Sequence, residues 1–537
     1  KVVLPSLDQG NDSQAIWDRQ VKHFWDLNWI VAEPEPGKST IGEAAAARKL
    51  FRNVNVSANG ESGVKCSLMP ELQELSGHSH AEEQNAFWAA VAACQDVRKL
   101  DIRTGERLSA IALIKRLFPN IDERILGESL NQESWPSTAF FAATPWLSEI
   151  DQNAAAKKLA IDYVRTAEHT EIRSSELDAA KAAGVPWATI DAPAWTLAGL
   201  QNNEWENSES EKESLLTKLK ELYKALGDRK PVPFYALLLM DGDSMGSLLN
   251  ALEGPGQLSQ CLGEFTRRVD DIVAAKENCG RTVYAGGDDV MAILPAPRAL
   301  TVADIIAQVY ENCFSDALRE KTARATISAA IVYAHWKQPL RQVLERAHHL
   351  LDDVAKNQTG RDALAIGIMK GSGLNAQWSA PWQFVRERKL AADEVADSII
   401  HRFADQEKTR AADGTTIPSF NASLLYHLRN QYARLVGNAL DQPGSYIRFG
   451  SSSSDEDNIF LALANAEYRR RLSRDEQRTI DALTTRQQIK PLIEFARQAT
   501  RDQAGELDVN EASYGFDAWR VARFLKQVHE GELQHHE

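Results

Sequence analysis

Two kinds of periodicity alternate between residues 232 and 370, and their order restricts the fold more than any other feature of the chain. "FYALLLM" is an apolar run that reads as a buried strand, ending at "DGDSMG". "QLSQCLGEFTRRVDDIVAAKEN" follows, with apolar residues at the three- and four-residue spacing of an amphipathic helix. "RTVYA" and "VMAILP" flank the turn "GGDD" and read as a hairpin. A second helix over "TVADIIAQVYENCFSDALRE", a strand "ATISAAIVYAH", a helix "PLRQVLERAHHLLDDVAKN" and a strand "DALAIGIM" complete the series. The order is β-α-β-β-α-β followed by α-β, which is the ferredoxin-like arrangement.

That topology sets the first strand beside the hairpin, so Asp241 is expected to face Asp288 and Asp289 across the strand ends. Three or four carboxylates gathered there form a hard oxygen site suited to Mg²⁺ or Mn²⁺. Gly286 and Gly287 leave room for a nucleotide beside the hairpin. Lys356, in "AKNQTGRDALAI", is a point charge suited to the β- and γ-phosphates. Arg361 is read either as assisting it or as pairing with Asp362 or Asp352. Each piece has a plainer reading: "GGDD" as a polar hairpin turn, "DGDSMG" as a strand end, Lys356 as a solvated helix C-terminus. Their order on one topology favours the nucleotide site.

The rest of the chain bounds the setting. A length of 537 residues exceeds one ordinary domain. The formal charge of −14 argues against a free-standing nucleic-acid binder, though not against a subunit that meets RNA through a local patch. Cys66, Cys94, Cys261, Cys279 and Cys313 are scattered without CxxC spacing, which fits a reducing, cytoplasmic setting. There is no apolar run long enough to span a bilayer, so no membrane partner is expected. The sequence begins at Lys1 rather than Met, and a segment upstream is expected.

Three regions are expected: 1–225 with helices, tryptophans and loops; 226–370 with the "GGDD" hairpin; and 371–537, mainly helical and charged, interrupted by the polar "GSSSSDEDN". "GDRKPVP" reads as the linker into the middle region.

Four stretches, "LLLMDGDSMGSLL", "YAGGDDVMAILP", "ATISAAIVYAHWKQPL" and "AKNQTGRDALAIGIMKGSG", together resemble the large signature subunit of type III CRISPR RNA-guided effector complexes, the Cmr-type (III-B) branch in particular. "IWDRQVKHFWDLNWIV", "GERLSAIALIKRLF" and "WPSTAFFAATPWL" look like upstream segments of the same subunit. The resemblance implies an α+β chain with two ferredoxin-like palm domains, one degenerate within 1–225 and one carrying "GGDD", plus a helical C-terminal domain. It implies synthesis of cyclic oligoadenylates from ATP when a complex of effector subunits and guide RNA binds target RNA. Asp288 and Asp289 then match the catalytic, metal-binding pair, Asp241 the first-strand metal ligand, and Gly286 and Gly287 the hairpin glycines. Asp243, Ser244 and Lys356 match positions near metal or nucleotide.

Two departures from the family pattern matter. No His-Asp dipeptide occurs, so no HD nuclease is expected in this chain. Of a four-cysteine zinc module near "VKCSLMPELQELSGH" only Cys66 remains, with His78 and His80 nearby, and a metal-free loop is the default. A diguanylate cyclase would read GGDEF, where this chain has "GGDDV". A catalytically silent scaffold, and transfer of AMP to another acceptor such as S-adenosylmethionine, stay open as alternatives.

Overall fold

A computed structural model describes residues 13–24, 61–93, 105–117, 136–168, 192–202, 209–319, 323–390, 399–403, 408–410, 416–436, 442–448, 459–502 and 504–531, with a few single residues between them. The chain forms two compact units, 1–133 and 134–537. None of the described helices is long and apolar enough to cross a membrane.

In the first unit, helices Ser13–Phe24, Ala81–Ala93 and Ala110–Leu117 enclose a core of Ile16, Leu75, Trp88, Val91 and Leu113. Glu74 is buried there because Ser76 N–H and Trp88 Nε1–H donate to one carboxylate oxygen, at 3.0 and 2.8 Å. Cys66 is buried, and its sulfur accepts from the N–H groups of Leu68 and Met69, while His78 faces Glu83. β pairing among the described residues of this unit is the single Lys65–Gln73 bridge. The strands expected for a first palm therefore fall outside the described residues.

The second unit is built on a six-stranded sheet. Its strands are β1 (Phe234–Gly242), β2 (Arg281–Gly286), β3 (Asp289–Pro295), β4 (Ile327–His335), β5 (Ala363–Lys370) and β6 (Gly373–Pro381). The order is β2-β3-β1-β4-β5-β6, antiparallel throughout except for the β4–β5 pair. Strands β1 to β4 carry the expected ferredoxin-like order. β6 is an addition: the palm sheet runs past residue 370, where the helical region was expected to begin.

Both faces are covered, which is why β1 and β4 read as nearly unbroken apolar runs. Helices Pro255–Ala274 and Ala299–Ser315 pack Phe265, Val269, Ile306 and Tyr310 against Ala236, Leu238 and Met240 of β1. On the other face, helix Leu340–His349 and the π-helical turns Leu350–Gln358 bring Val343, Leu350 and Val354 onto Tyr235, Leu237 and Val332. Helix Thr138–Gln152 adds Phe141 and Ala142 to this layer. Its opposite side joins Ala154–Glu168 and Glu209–Ala225 around Trp195. "GDRKPVP" is no free linker. Pro231, Val232 and Pro233 are buried, and Trp146 Nε1–H donates to Arg229 O at 3.0 Å.

The C-terminal third shares the palm's core. Trp378 of β6 lies 5.4 Å from Phe495, ring to ring, and Phe524 packs 5.1 Å from Phe234 at the start of β1. This region is not wholly helical. Ile447–Arg448, Arg497–Arg501 and Leu507–Tyr514 form a three-stranded sheet beside helices Ala422–Val436, Ile459–Arg469, Ala482–Phe495 and Asp517–Glu530. "GSSSSDEDN" lies outside the described residues.

Candidate active site

The register of the sheet gathers the acidic residues. Met240 pairs with Val290 across β1 and β3, so one further step brings Asp241 level with Asp289. Neighbouring strands lie about 4.8 Å apart, within reach of two carboxylates. Gly286 pairs with Asp289, which leaves Gly287 and Asp288 as a two-residue hairpin turn. Gly287 takes the positive φ, 69°, that such a turn needs at its first central position.

Gly242, which follows Asp241, has a role the sequence reading did not assign. A Cβ there would lie 2.6 Å from the Tyr310 hydroxyl and 2.8 Å from Asp288 Cβ. The missing side chain lets the hairpin tip close onto the end of β1. Gly286 is crowded differently, since its Cβ would meet the ring of Tyr284, an exposed side chain.

Lys356 completes the group. It sits on the π-helical turns Leu350–Gln358, a rare winding frequently found at functional sites. Its Nζ makes an ion pair with Asp241 Oδ1, both side chains being largely shielded from solvent. Burial pushes the Asp289 carboxyl up, and the charges of Asp241 and Asp288 push it further. Asp288 is raised by burial and by Asp241, with Lys356 opposing. The Tyr310 hydroxyl, fully buried under the cluster, is raised strongly by burial and by Asp288, Asp243 and Asp241, and donates to Met245 Sδ at 3.4 Å.

These carboxylates fit a hard cation. Burial and then the charges of their neighbours raise the Asp288 and Asp289 carboxyls, against the opposing charge of Lys356. Among the described residues, however, no three His, Cys, Asp or Glu side chains form a ready-made metal cage.

Asp243 departs from the expected metal role. The strand ends at Gly242, and Ser244 turns the chain with φ 53°, so Asp243 points inward and is 4% exposed. Its carboxylate accepts from Ser328 Oγ (2.7 Å), Thr326 Oγ1 (2.9 Å) and Asp362 N–H (2.9 Å). It ties β1 to the starts of β4 and β5. Ser244 is exposed at the N-terminus of the short helix Met245–Ala251, and makes no side-chain cap bond. Arg361 is exposed with φ 69°, and Asp362 pairs instead with Arg501 of the C-terminal sheet.

Beside the acidic group a cavity of about 310 Å³ opens between β1, β3 and the π-helical turns, lined by Asp241, Asp289, Tyr284, Met291, His348 and Asp352 among others. Sequence reasoning assigned none of the last four to the site, Asp352 entering only as a possible partner of Arg361. They come from four separate elements, and no local pattern marks them.

The family described as Cas10/Cmr2, second palm domain, matches residues 234–365. The CRISPR system Cmr subunit Cmr2 of Pyrococcus furiosus is 32% identical over 212 residues, which are 34% of this chain and 24% of that protein. The chain thus matches about a quarter of the length of that curated relative. Among solved structures, a type III-B Cmr-beta complex in its apo state is similar over 91% of this chain and 60% of its own, with 13% identity and a TM-score of 0.46. A Csm1–Csm4 cassette in complex with cA4 is similar over 43% of this chain and 31% of its own, with 15% identity and a TM-score of 0.26. Residues 234–365 thus match the second palm domain of the Cas10/Cmr2 family.

Proposed function

We propose that this chain uses the acidic end of its palm sheet to transfer nucleotidyl groups from ATP, making cyclic oligoadenylates. It would act as the large subunit of an effector complex with other Cmr-type subunits, guide RNA and target RNA. One observation carries the reading: Asp241, Asp288, Asp289 and Lys356, from three separate elements, converge at one edge of an open cavity.

The roles follow from placement. Asp241 and Asp289, level with one another on adjacent strands, would hold a cation that comes with the triphosphate, and Asp288 would support it from the turn. A bound Mg²⁺ or Mn²⁺ supplies charge neutralisation on phosphate oxygens and acidifies an attacking hydroxyl. Lys356, paired with Asp241 in the metal-free chain, would be the charge that meets the phosphates. Gly287 has no atom within 4 Å of where a Cβ would stand, so the turn leaves open space on the substrate side. The surrounding cavity admits the nucleotide's base and sugar.

The test is mass spectrometry of products from the assembled complex, given ATP, Mg²⁺ or Mn²⁺ and matched target RNA, with and without S-adenosylmethionine. Cyclic oligoadenylates that vanish with Asp288→Ala and Asp289→Ala support the proposal. An AMP conjugate would keep the site and change the acceptor. Absence of any product from an intact complex would leave a scaffold.

A further inference from the structure

The loop that joins the π-helical turns to β5 is held in an unfavourable shape from outside the palm. Gly360, Arg361 and Asp362 have φ of 94°, 69° and 45°, three left-handed residues in succession, two of them carrying side chains. Left-handed backbone is disfavoured for such residues and persists only where the surroundings impose it. Here one residue of the C-terminal sheet does so. Arg501, at the end of strand Arg497–Arg501, pairs through its guanidinium with the Asp362 carboxylate, and its own N–H donates to Thr359 O at 2.8 Å. Its Nη1 donates to Gly505 O at 2.6 Å, which ties the guanidinium to the turn of its own hairpin. A Cβ on Gly360 would lie 2.8 Å from Arg501 O, so a glycine there lets the strand come this close.

The same loop is bonded to both sides of the Lys356–Asp241 pair. Thr359 N–H donates to Val354 O at 2.8 Å and Arg361 N–H to Ala355 O at 3.1 Å, which closes the π-helical turns over the two residues just before Lys356. At the far end of the loop, Asp362 N–H donates to Asp243, two residues beyond Asp241. Lys356 and Asp241 thus take their places from one loop, and that loop takes its shape from Arg501. An ion pair on a plain helix end would secure the C-terminal sheet equally well. This one instead grips the strained turn beside the lysine.

We propose that Arg501 is a positioning residue for the palm's acidic site: by clamping residues 359–362 it holds Lys356 against Asp241. Its catalytic consequence rests on the nucleotidyl transfer proposed above, whereas the placement of Lys356 does not.

The experiment is competitive acetylation of the folded 537-residue chain with limiting acetic anhydride, each lysine being read by peptide mass spectrometry. In Arg501→Ala, Lys356 should be acetylated at least about fivefold faster than in the parent, the effect of losing one partly shielded ion pair. Lys157, paired with Asp151, and Lys337, over the Trp336 ring, should be unchanged. Turnover of ATP by the assembled complex should fall about 10-fold or more in Arg501→Ala, from misplacement of the lysine. In a Lys356→Ala background the same change should cost about twofold or less, because the residue it positions is already gone. Should the alanine variant fail to fold, Arg501→Lys carries the test. A lysine lacks the planar fork that reaches both Asp362 and Gly505 O, and should still speed acetylation of Lys356 by about twofold or more. Unchanged acetylation of Lys356 in a folded variant, an equal rise at all three lysines, or fully additive losses of turnover would each overturn the proposal. An inactive parent complex would overturn the nucleotidyl-transfer reading alone, with the acetylation result still deciding the clamp.

Discussion

Lys356 on the π-helical turns forms an ion pair with Asp241 at the end of β1, from 115 positions away in sequence. With the neighbouring carboxylates raised by burial and then by one another's charge, this ammonium stands where a divalent cation would be most favourable. Lys356→Ala should therefore destabilise the metal-free protein by about 1–3 kcal/mol, less than for a fully buried pair. Added Mg²⁺ should raise the melting temperature of the variant more than that of the parent, because the cation no longer displaces a lysine. Nucleotidyl transfer should fall by about two orders of magnitude, as for other losses of a preorganised phosphate-directed charge. Thermal melts with and without Mg²⁺, alongside turnover, check this. An identical response to Mg²⁺ in both proteins would sink it.

The two crowded glycines of the site should behave differently. Gly242→Ala sets a methyl group 2.8 Å from Asp288 Cβ and 2.6 Å from the hydroxyl of Tyr310, which is fully buried. The hairpin tip must shift, so turnover should fall about 10-fold or more from misplacement alone. Gly286→Ala meets the ring of Tyr284, which is exposed and free to swing outward, and its turnover should stay within a few-fold of the parent. Equal losses in the two variants would count against this account of Gly242.

Much of this was readable from sequence because local patterns encode it. β1 and β4 are buried on both faces, so their apolar runs are unbroken, and the turn glycines and paired aspartates of "GGDD" are contiguous. β6 was missed because "GLNAQWSAP" mixes polar and apolar residues, being only partly buried along its first half. Asp243 was expected at the metal because the family resemblance places that position near metal or nucleotide. The positive φ of Ser244 reverses that expectation and is not visible in composition. The Arg501 clamp was unreadable for another reason. Arg501 and Asp362 are 139 positions apart, and only tertiary packing brings them together.

The inward turn of Asp243 separates two roles experimentally. As a tie among Ser328, Thr326 and the Asp362 N–H, it serves stability, so Asp243→Ala should cost about 3 kcal/mol by orphaning buried donors. Asp243→Asn keeps one oxygen acceptor and should cost less, with turnover still measurable below its melting temperature. As a metal ligand, Asp243 would behave oppositely: turnover would vanish with little change in melting. Chemical denaturation paired with product analysis distinguishes the two.

The Asp362–Arg501 pair joins the start of β5 to the C-terminal sheet, with side chains 14% and 7% exposed. Burial pushes the Asp362 carboxyl up, and Arg501 is the main charge opposing that rise. Arg501→Ala leaves a buried carboxylate without its partner and should cost about 3 kcal/mol at neutral pH. Without the arginine, the folded-state pKa of Asp362 climbs further above its unfolded value. The folded protein then binds the proton more tightly than the unfolded chain, so this contribution to stability falls as pH rises from the unfolded pKa through the folded one. The gap between variant and parent should therefore narrow as pH is lowered from neutral toward the ordinary carboxylate range, where Asp362 is protonated and its missing partner matters less. Urea denaturation of both proteins across that range measures the gap directly. A gap independent of pH would mean that Arg501 contributes through packing rather than through its charge.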